Sequence, residues 1–276
     1  MNLVAQGPAL GSDEVFELAR LAACSSFTEI ASRAFRFRCA EKHPDVAAWC
    51  EERRIDHAWM PEGRKFSDLG LVAMDMDSTL ITIECIDELG DLAGKKPEIS
   101  RITAEAMRGE IDYPASLRKR VALLKDLEEK ALLRVYEERL RLTPGAERLI
   151  AACKASGVKL LLVSGGFTFF TDRIKARLGF DYTLSNTLEV QGGHLTGKLL
   201  GDVVDADAKA RKFQEVVTRL KIEKERSVAI GDGANDLKMM AEAGVSVAFH
   251  AKPLVRAQAS CALDWSGLDA VVNLFE

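Results

Sequence analysis

Two aspartates stand two residues apart in Asp75-Met76-Asp77, where the apolar run Leu71-Val72-Ala73-Met74 ends. Carboxylates at the exit of a buried strand cost free energy unless a cation or a reacting ligand compensates them, so the pair points to phosphoryl transfer. An acidic turn after a strand explains the same residues equally well, since Asp and Ser are ordinary turn formers. A second acidic cluster, Gly231-Asp232-Gly233-Ala234-Asn235-Asp236, follows the run at 227–230 and opens a helical pattern. Its glycines let backbone approach a ligand, and its carboxylates are hard oxygen donors suited to Mg²⁺. Asp75, Asp77 and Asp232 crowded together repel one another unless a cation joins them. An acidic N-cap accounts for Asp232 or Asn235 singly, but not for the whole cluster. Ser164-Gly165-Gly166 offers a hydroxyl and backbone N–H groups to phosphate oxygens, although Ser-Gly-Gly is also a common turn. Lys209 falls in the first turn of a helix running towards Leu220, with Asp207 as its expected cap. A cation there opposes the helix dipole by a few tenths of a kcal/mol, a small preference against a purely structural role. Arg211 and Lys212 share the segment, and all three can equally be solvated.

Short continuous apolar runs at 71–74, 159–163, 227–230, 245–249 and, weakly, 261–263 predict strands. Helical patterns separate them, among them 144–156 closed by Gly157 and 235–243 closed by Gly244, with both glycines expected just past the helix end. Buried strands alternating with helices predict an α/β fold, a Rossmann-like parallel sheet covered on both faces. Ligands sit beyond the carboxyl ends of such strands, so Asp75, Ser164 and Asp232 are expected in one crevice. Residues 81–142 carry only helical patterns and read as an inserted helical cap. Within it Leu117, Val121 and Leu124 form a stripe that also contains Arg120. An arginine on an apolar stripe wants an anion; on this stripe alone, snorkelling to solvent is the slightly favoured account. The period-two pattern at 181–204 predicts a small β-hairpin beside the main sheet. The expected organisation is a separate N-terminal unit at 1–66, a core at 67–80 and 143–276, and the cap at 81–142.

With 276 residues, 47% apolar and 29% charged, the chain has the composition of an ordinary globular protein. A formal net charge of −4 offers no broad positive field, so no nucleic-acid partner is expected. The basic and aromatic stretch Arg33-Ala34-Phe35-Arg36-Phe37-Arg38 reads as one alternating strand or helix face. The start lacks a basic segment followed by a long apolar block, which predicts a cytoplasmic protein without a membrane anchor. The six cysteines show no CxxC spacing and are expected as buried, reduced thiols rather than a zinc site. None of the four histidines lies in a motif that looks catalytic, which disfavours a His base.

Taken together, Asp75-x-Asp77-x-Thr79, Ser164, Lys209 and Gly231-Asp232-Gly233-x-Asn235-Asp236 resemble the haloacid dehalogenase superfamily of phosphohydrolases in order and strand-end context. More closely, 74–88, 116–121, 163–167 and 229–236 are similar to the phosphoserine phosphatase family. That similarity runs from about Leu69 to Asp264 and does not reach the N-terminal unit. The resemblance implies a Mg²⁺-dependent hydrolase of phosphoserine that acts in the last step of serine biosynthesis. It implies Asp75 as the nucleophile that forms an aspartyl-phosphate, and Asp77 as the acid that protonates the leaving oxygen and later activates water. Asp75, Asp77 and Asp232 would hold the metal, and Asp236 with Asn235 would orient its water shell and Lys209. Ser164, Lys209 and the backbone at Met76 and Gly165 would stabilise the phosphoryl group. Glu84 would pair with the substrate ammonium and Arg120 with its carboxylate, while Met107 and Tyr113 line the cap. The family more often has Phe where this chain has Tyr113. For Glu84 the residues alone suggest a solvated face shared with Asp87 and Glu88.

Two other readings stay open at the sequence level: a phosphatase or phosphotransferase for another small phosphorylated metabolite, and a binding protein without catalysis that uses residues 1–66 as its surface. Asp77 favours hydrolysis, since a dehalogenase needs no general acid there and ion-pumping ATPases resemble Asp-Lys-Thr-Gly-Thr instead. The apolar content of 1–66 suggests support for a homodimer or for the cap.

Overall fold

In the computed structural model, which describes residues 1–39 and 41–276, the apolar runs become a seven-stranded sheet. In chain order its strands are β5 (Leu71–Met74), β6 (Lys159–Phe167), β7 (Tyr182–Gln191), β8 (His194–Leu200), β9 (Ser227–Gly231), β10 (Val245–Phe249) and β11 (Cys261–Leu263), after four strands of the N-terminal unit. The spatial order is β11-β10-β9-β5-β6-β7-β8, parallel except for the final β7/β8 pair. Strands β5, β9 and β10 are buried throughout, as strands covered on both faces must be. β7 and β8 form the expected hairpin, and β7 joins the main sheet through β6.

The order reverses at β5, which has β6 on one side and β9 on the other. Met74 is level with both Leu162 and Ile230. The residues that follow on the three strands therefore leave the sheet at almost the same height, and a crevice opens at such a reversal point.

The helical insertion comprises α3 (Cys85–Leu92), α4 (Lys96–Met107), α5 (Tyr113–Ala122) and α6 (Lys130–Arg134). Leu117, Val121 and Leu124 are buried, as their spacing predicts. The hairpin supports this cap, since Asp126 N–H donates to Leu195 O at 2.9 Å and Leu195 N–H to Leu127 O at 2.8 Å.

The N-terminal unit runs β1 (Asn2–Gln6), α1 (Ser12–Leu21), β2 (Cys24–Ala31), β3 (Ala34–Cys39), α2 (Val46–Glu52), β4 (Asp56–Met60), with antiparallel sheet order β2-β3-β1-β4. The stretch at 33–38 thus enters a strand at Ala34, with Arg33 in the preceding turn, Phe37 buried and Arg38 exposed. Leu3, Ala5 and Ile55 pack with Val15, Leu18 and Val46 of the unit's own helices, while Val4, Ala58 and Met60 join the apolar core of the main domain. The unit rests on the C-terminal segment: Asn2 Nδ2 donates to Glu276 Oε1 at 2.7 Å, and Gln6 Nε2 to Ala270 O at 3.1 Å.

Four local expectations are corrected. Cys24 and Cys39 form a disulfide across β2 and β3, where they face each other in register, and only Cys50, Cys85, Cys153 and Cys261 are buried thiols. The helix carrying Lys209, α9 (Ala206–Leu220), is capped by Asp205, which accepts from Ala208 N–H at 2.8 Å; Asp207 pairs with Lys238 instead. The regular helix after the second acidic cluster spans only α10 (Leu237–Glu242), preceded by a 3₁₀ turn over Ala234–Asp236. Gly244 does not close α10 in a left-handed conformation. A Cβ there would lie 2.5 Å from Lys224 O and 2.6 Å from Glu225 Cα, so close approach of backbone calls for glycine. Gly157, after α7 (Ala146–Ala155), does take the left-handed φ of 70°. Helices α8 (Thr168–Leu178) and α11 (Pro253–Gln258) complete the fold.

Candidate active site

Asp75 leaves β5 with a carboxylate that is 4% exposed. Its Oδ1 accepts from Met76 N–H and from Lys209 Nζ, both at 2.8 Å. Lys209, 1% exposed on α9, also donates to Asp236 Oδ1 at 2.8 Å. Asp236 Oδ2 in turn accepts from Gly233 N–H at 3.2 Å. Asp232 closes the group, and Thr79 Oγ1 reaches its Oδ1 at 3.5 Å. Ligand oxygens of Asp75, Asp232 and Asp236 all lie within 4.8 Å of one another.

Three carboxylates against two ammonium groups, Lys209 bonded to two of them and Lys252 acting on Asp232 from the cavity wall, leave surplus negative charge in a place with little water, which is costly. Burial, reinforced by the Asp236 charge, pushes the Asp75 carboxyl well above its usual range. The same two causes push Asp232 up to about 6. Burial favours the neutral amine of Lys209, but Asp236 and Asp75 outweigh it and hold the lysine protonated. A hard oxygen donor set with unbalanced charge suits a divalent cation.

Asp77, expected as the third carboxylate of that set, turns elsewhere. Its Oδ1 accepts from Cys85 N–H at 2.9 Å and its Oδ2 from the Ser164 hydroxyl at 3.0 Å. The amide of Cys85 opens α3, and a helix N-terminus attracts an anion. Asp236, drawn in by Lys209, faces Asp75 and Asp232 in its place. Burial raises the Asp77 pKa, while the Cys85 and Ser164 donors counteract this. Gly166 follows from the same crowding, since a Cβ there would come 2.6 Å from Asp77 Oδ2.

Between the carboxyl edge of the sheet and the cap lies a cavity of about 420 Å³. Of the residues expected at the site, Asp75, Asp77, Glu84, Met107, Tyr113, Arg120, Gly165, Asp232 and Asn235 line it. Ser164, Lys209 and Asp236 stand one layer behind, enclosed and bonded to the lining residues Asp77, Asp75 and Gly233 respectively. Glu84 Oε1 accepts from Ser78 Oγ at 2.7 Å, and burial within the site together with the Asp77 charge pushes its carboxyl up to about 7. Ser78 adopts a left-handed φ of 57° in the tight turn after Asp77. Arg120 is 9% exposed and its Nε has no hydrogen-bond partner, so the side chain turns into the cavity and does not snorkel to solvent. Tyr113 OH donates to Gly165 O at 3.4 Å, joining cap to core, and burial pushes its phenol up to about 12. Met107 is 66% exposed at the end of α4.

One residue at the site was not singled out by sequence, and a second, Ser116, entered only as the first residue of the 116–121 stretch, without a role. Asn186 on β7 donates to Gly165 O and accepts from Val204 N–H, both at 2.8 Å, and so fixes the glycine-rich end of β6. Ser116 on α5 lines the cavity and is fully buried. Asn186 stands in no pattern that distinguishes it from the ordinary polar residues of a strand, and the 116–121 stretch assigned a role only to Arg120.

Fold and site together define a hydrolytic α/β enzyme that works beneath a helical cap. The profile of the haloacid dehalogenase-like hydrolases matches residues 72–241. The chain belongs to that family. It is 56% identical over 215 residues to a phosphoserine phosphatase of Polaromonas sp. (strain JS666), an overlap of 76% of this chain and 91% of the relative. Among solved structures, it resembles a probable phosphoserine phosphatase from Vibrio cholerae in unliganded form, with a TM-score of 0.87 and 37% identity over 99% of this chain and 86% of that one. A family hydrolase from Salmonella enterica serovar Typhi superposes with a TM-score of 0.90 at 30% identity, covering 100% and 98%. No helix among the described residues is long and apolar enough to cross a membrane.

Proposed function

We propose that the chain hydrolyses O-phospho-L-serine to serine and phosphate through an aspartyl-phosphate on Asp75, the final step of serine biosynthesis. The relatives named phosphoserine phosphatase support the substrate. The observation that carries the chemistry is the asymmetry of the Asp75 carboxylate. Both donors hold Oδ1, leaving Oδ2 without a hydrogen bond and free to attack phosphorus.

Bond formation between Asp75 and phosphorus accompanies cleavage of the ester bond, and the serine oxygen leaves with a proton from Asp77. Burial favours the protonated form of Asp77, as a general acid requires. Once serine departs, Asp77 takes a proton from the water that attacks the acyl-phosphate, releasing phosphate and restoring Asp75. Lys209 keeps the nucleophile oriented, while the backbone N–H of Gly165, near the end of β6, would face the phosphoryl oxygens. Glu84 would receive the ammonium and Arg120 the carboxylate of the substrate.

Asp75, Asp232 and Asp236 would hold Mg²⁺. When bound, the ion supplies positive charge that offsets the crowded carboxylates and the phosphoryl oxygens. The test is phosphate release from O-phospho-L-serine with Mg²⁺ and with chelator, together with mass spectrometry of rapidly quenched enzyme. Phosphate release that depends on Mg²⁺ and a phosphorylated Asp75 peptide are expected. Turnover unaffected by chelator, or quenched enzyme that never carries phosphate, overturns the mechanism.

A further inference from the structure

We infer that the hydroxyl of Ser116 forms, with Arg120, a two-donor clamp for the carboxylate of the substrate, and that Ser116 is thereby a specificity-determining residue. This inference rests on the phosphoserine reading above.

Ser116 and Arg120 are four residues apart on α5, so their side chains share one face. Both line the cavity. Ser116 is 0% exposed, and among the described residues neither its Oγ nor the buried Nε of Arg120 has a hydrogen-bond partner. A buried polar group left unpaired costs about 1–3 kcal/mol. Serine inside a helix ordinarily relieves that cost by donating to the carbonyl four residues back. Here that carbonyl, Asp112 O, accepts the backbone N–H of Ser116 at 2.9 Å, and Oγ makes no such bond.

Two unsatisfied donors on one helix face call for a single acceptor with several lone pairs. A carboxylate has two oxygens and about four acceptor sites, enough for the guanidinium fork and a hydroxyl together. An ammonium is excluded from this end by the positive charge of Arg120 and has Glu84 as its counterpart. The phosphoryl group is claimed at the other end by Asp75 and the glycine-rich end of β6. The carboxylate is the remaining charged group of the substrate.

A hydrogen bond to a charged group contributes about 1.5–3 kcal/mol, or roughly 10–100-fold in kcat/KM. The experiment compares wild type, Ser116→Ala and Ser116→Cys on three substrates. These are O-phospho-L-serine, O-phosphoethanolamine, which lacks the carboxylate, and 3-phosphooxypropanoate, which lacks the ammonium. For Ser116→Ala, kcat/KM for each carboxylate-bearing substrate is expected to fall about 10-fold or more relative to O-phosphoethanolamine, chiefly through KM. Ser116→Cys, of similar volume but a weak donor, should fall between. Weaker product inhibition by L-serine reports the same contact without catalysis. An equal loss on all three substrates, a loss that follows the ammonium, or no loss on phosphoserine overturns the clamp. Wild type that shows no preference for phosphoserine over O-phosphoethanolamine overturns the substrate reading itself, an outcome separate from failure of Ser116 alone.

Discussion

At the junction between the N-terminal unit and the core, Asp56 is 2% exposed, about as enclosed as Asp75 at 4%. Its surroundings are the opposite of those in the crevice. Three consecutive backbone N–H groups converge on its carboxylate: Asp264 at 2.7 Å, Trp265 at 3.3 and 3.2 Å to the two oxygens, and Ser266 at 2.8 Å. Fixed dipoles satisfy that anion permanently, so it fastens one unit to the other and needs nothing from outside. In the crevice, Asp75 and Asp236 share Lys209, Asp232 stands beside them with Lys252 as its nearest charge counterpart, and the three carboxylates still outnumber the two cations. Equal burial therefore carries a structural role in one place and a chemical one in the other, and the donors around the carboxylate decide which.

The sharpest way to break this contrast is Asp75→Asn. Loss of the nucleophile should lower turnover by about 10⁴-fold or more, while removing one repelling charge leaves the metal-free melting temperature unchanged or higher. Phosphate release and thermal melts in chelator measure both, and a destabilised but active variant would put Asp75 in the same class as Asp56. Next in size, Arg120→Ala should reduce kcat/KM on O-phospho-L-serine by about 10²-fold, with at most a few-fold effect on an aryl phosphate. Equal losses on the two substrates would remove Arg120 from carboxylate recognition.

Asp56→Ala tests the other side. Stripping the carboxylate from its amides should cost about 3 kcal/mol in denaturant unfolding while kcat/KM of the folded enzyme changes by less than about 3-fold. A large catalytic defect with normal stability would reverse the assignment. The smallest effect expected is a dependence on pH. Asp232 and Glu84 titrate in the fold at about 6 and about 7, above their ordinary values of 3.8 and 4.5. The native state then binds more protons than the unfolded chain, so metal-free stability falls as pH rises from about 4.5 to about 7. A divalent cation should cancel that fall, and melts at pH 5 and pH 7 with chelator or Mg²⁺ would register it. Metal-free melts that are flat across this range would mean the carboxylates are already compensated by the protein.

Much of the crevice is legible in the sequence because apolar runs that end in Asp or Ser fix both the strands and the height at which these residues leave the sheet. Asp75 and Asp232 follow from that rule alone, while Ser164, expected with them, stands one layer behind the cavity wall. What escaped it depends on partners distant in sequence. That the carboxylate of Asp236, and not that of Asp77, groups with Asp75 and Asp232 reflects side-chain choices made by the Cys85 amide and Lys209, which no local spacing encodes. Asn186 acts through the carbonyl of a residue 21 positions earlier, and Cys24 meets Cys39 only once β2 pairs with β3. Arg120 was readable as an oddity on an apolar stripe, but its direction required the cavity. The N-terminal unit was the least legible part, since its sheet places β1 between β3 and β4 through pairings that span most of its length.

Strand β1 has a further consequence. Its two faces are covered by different parts of the chain, its own helices on one side and the catalytic domain on the other, and Asn2 and Gln6 are tied to residues more than 260 positions away. Neither part can let go without uncovering apolar surface on its neighbour. The whole assembly should behave cooperatively, with the amides of β1 exchanging with solvent as slowly as those of β5.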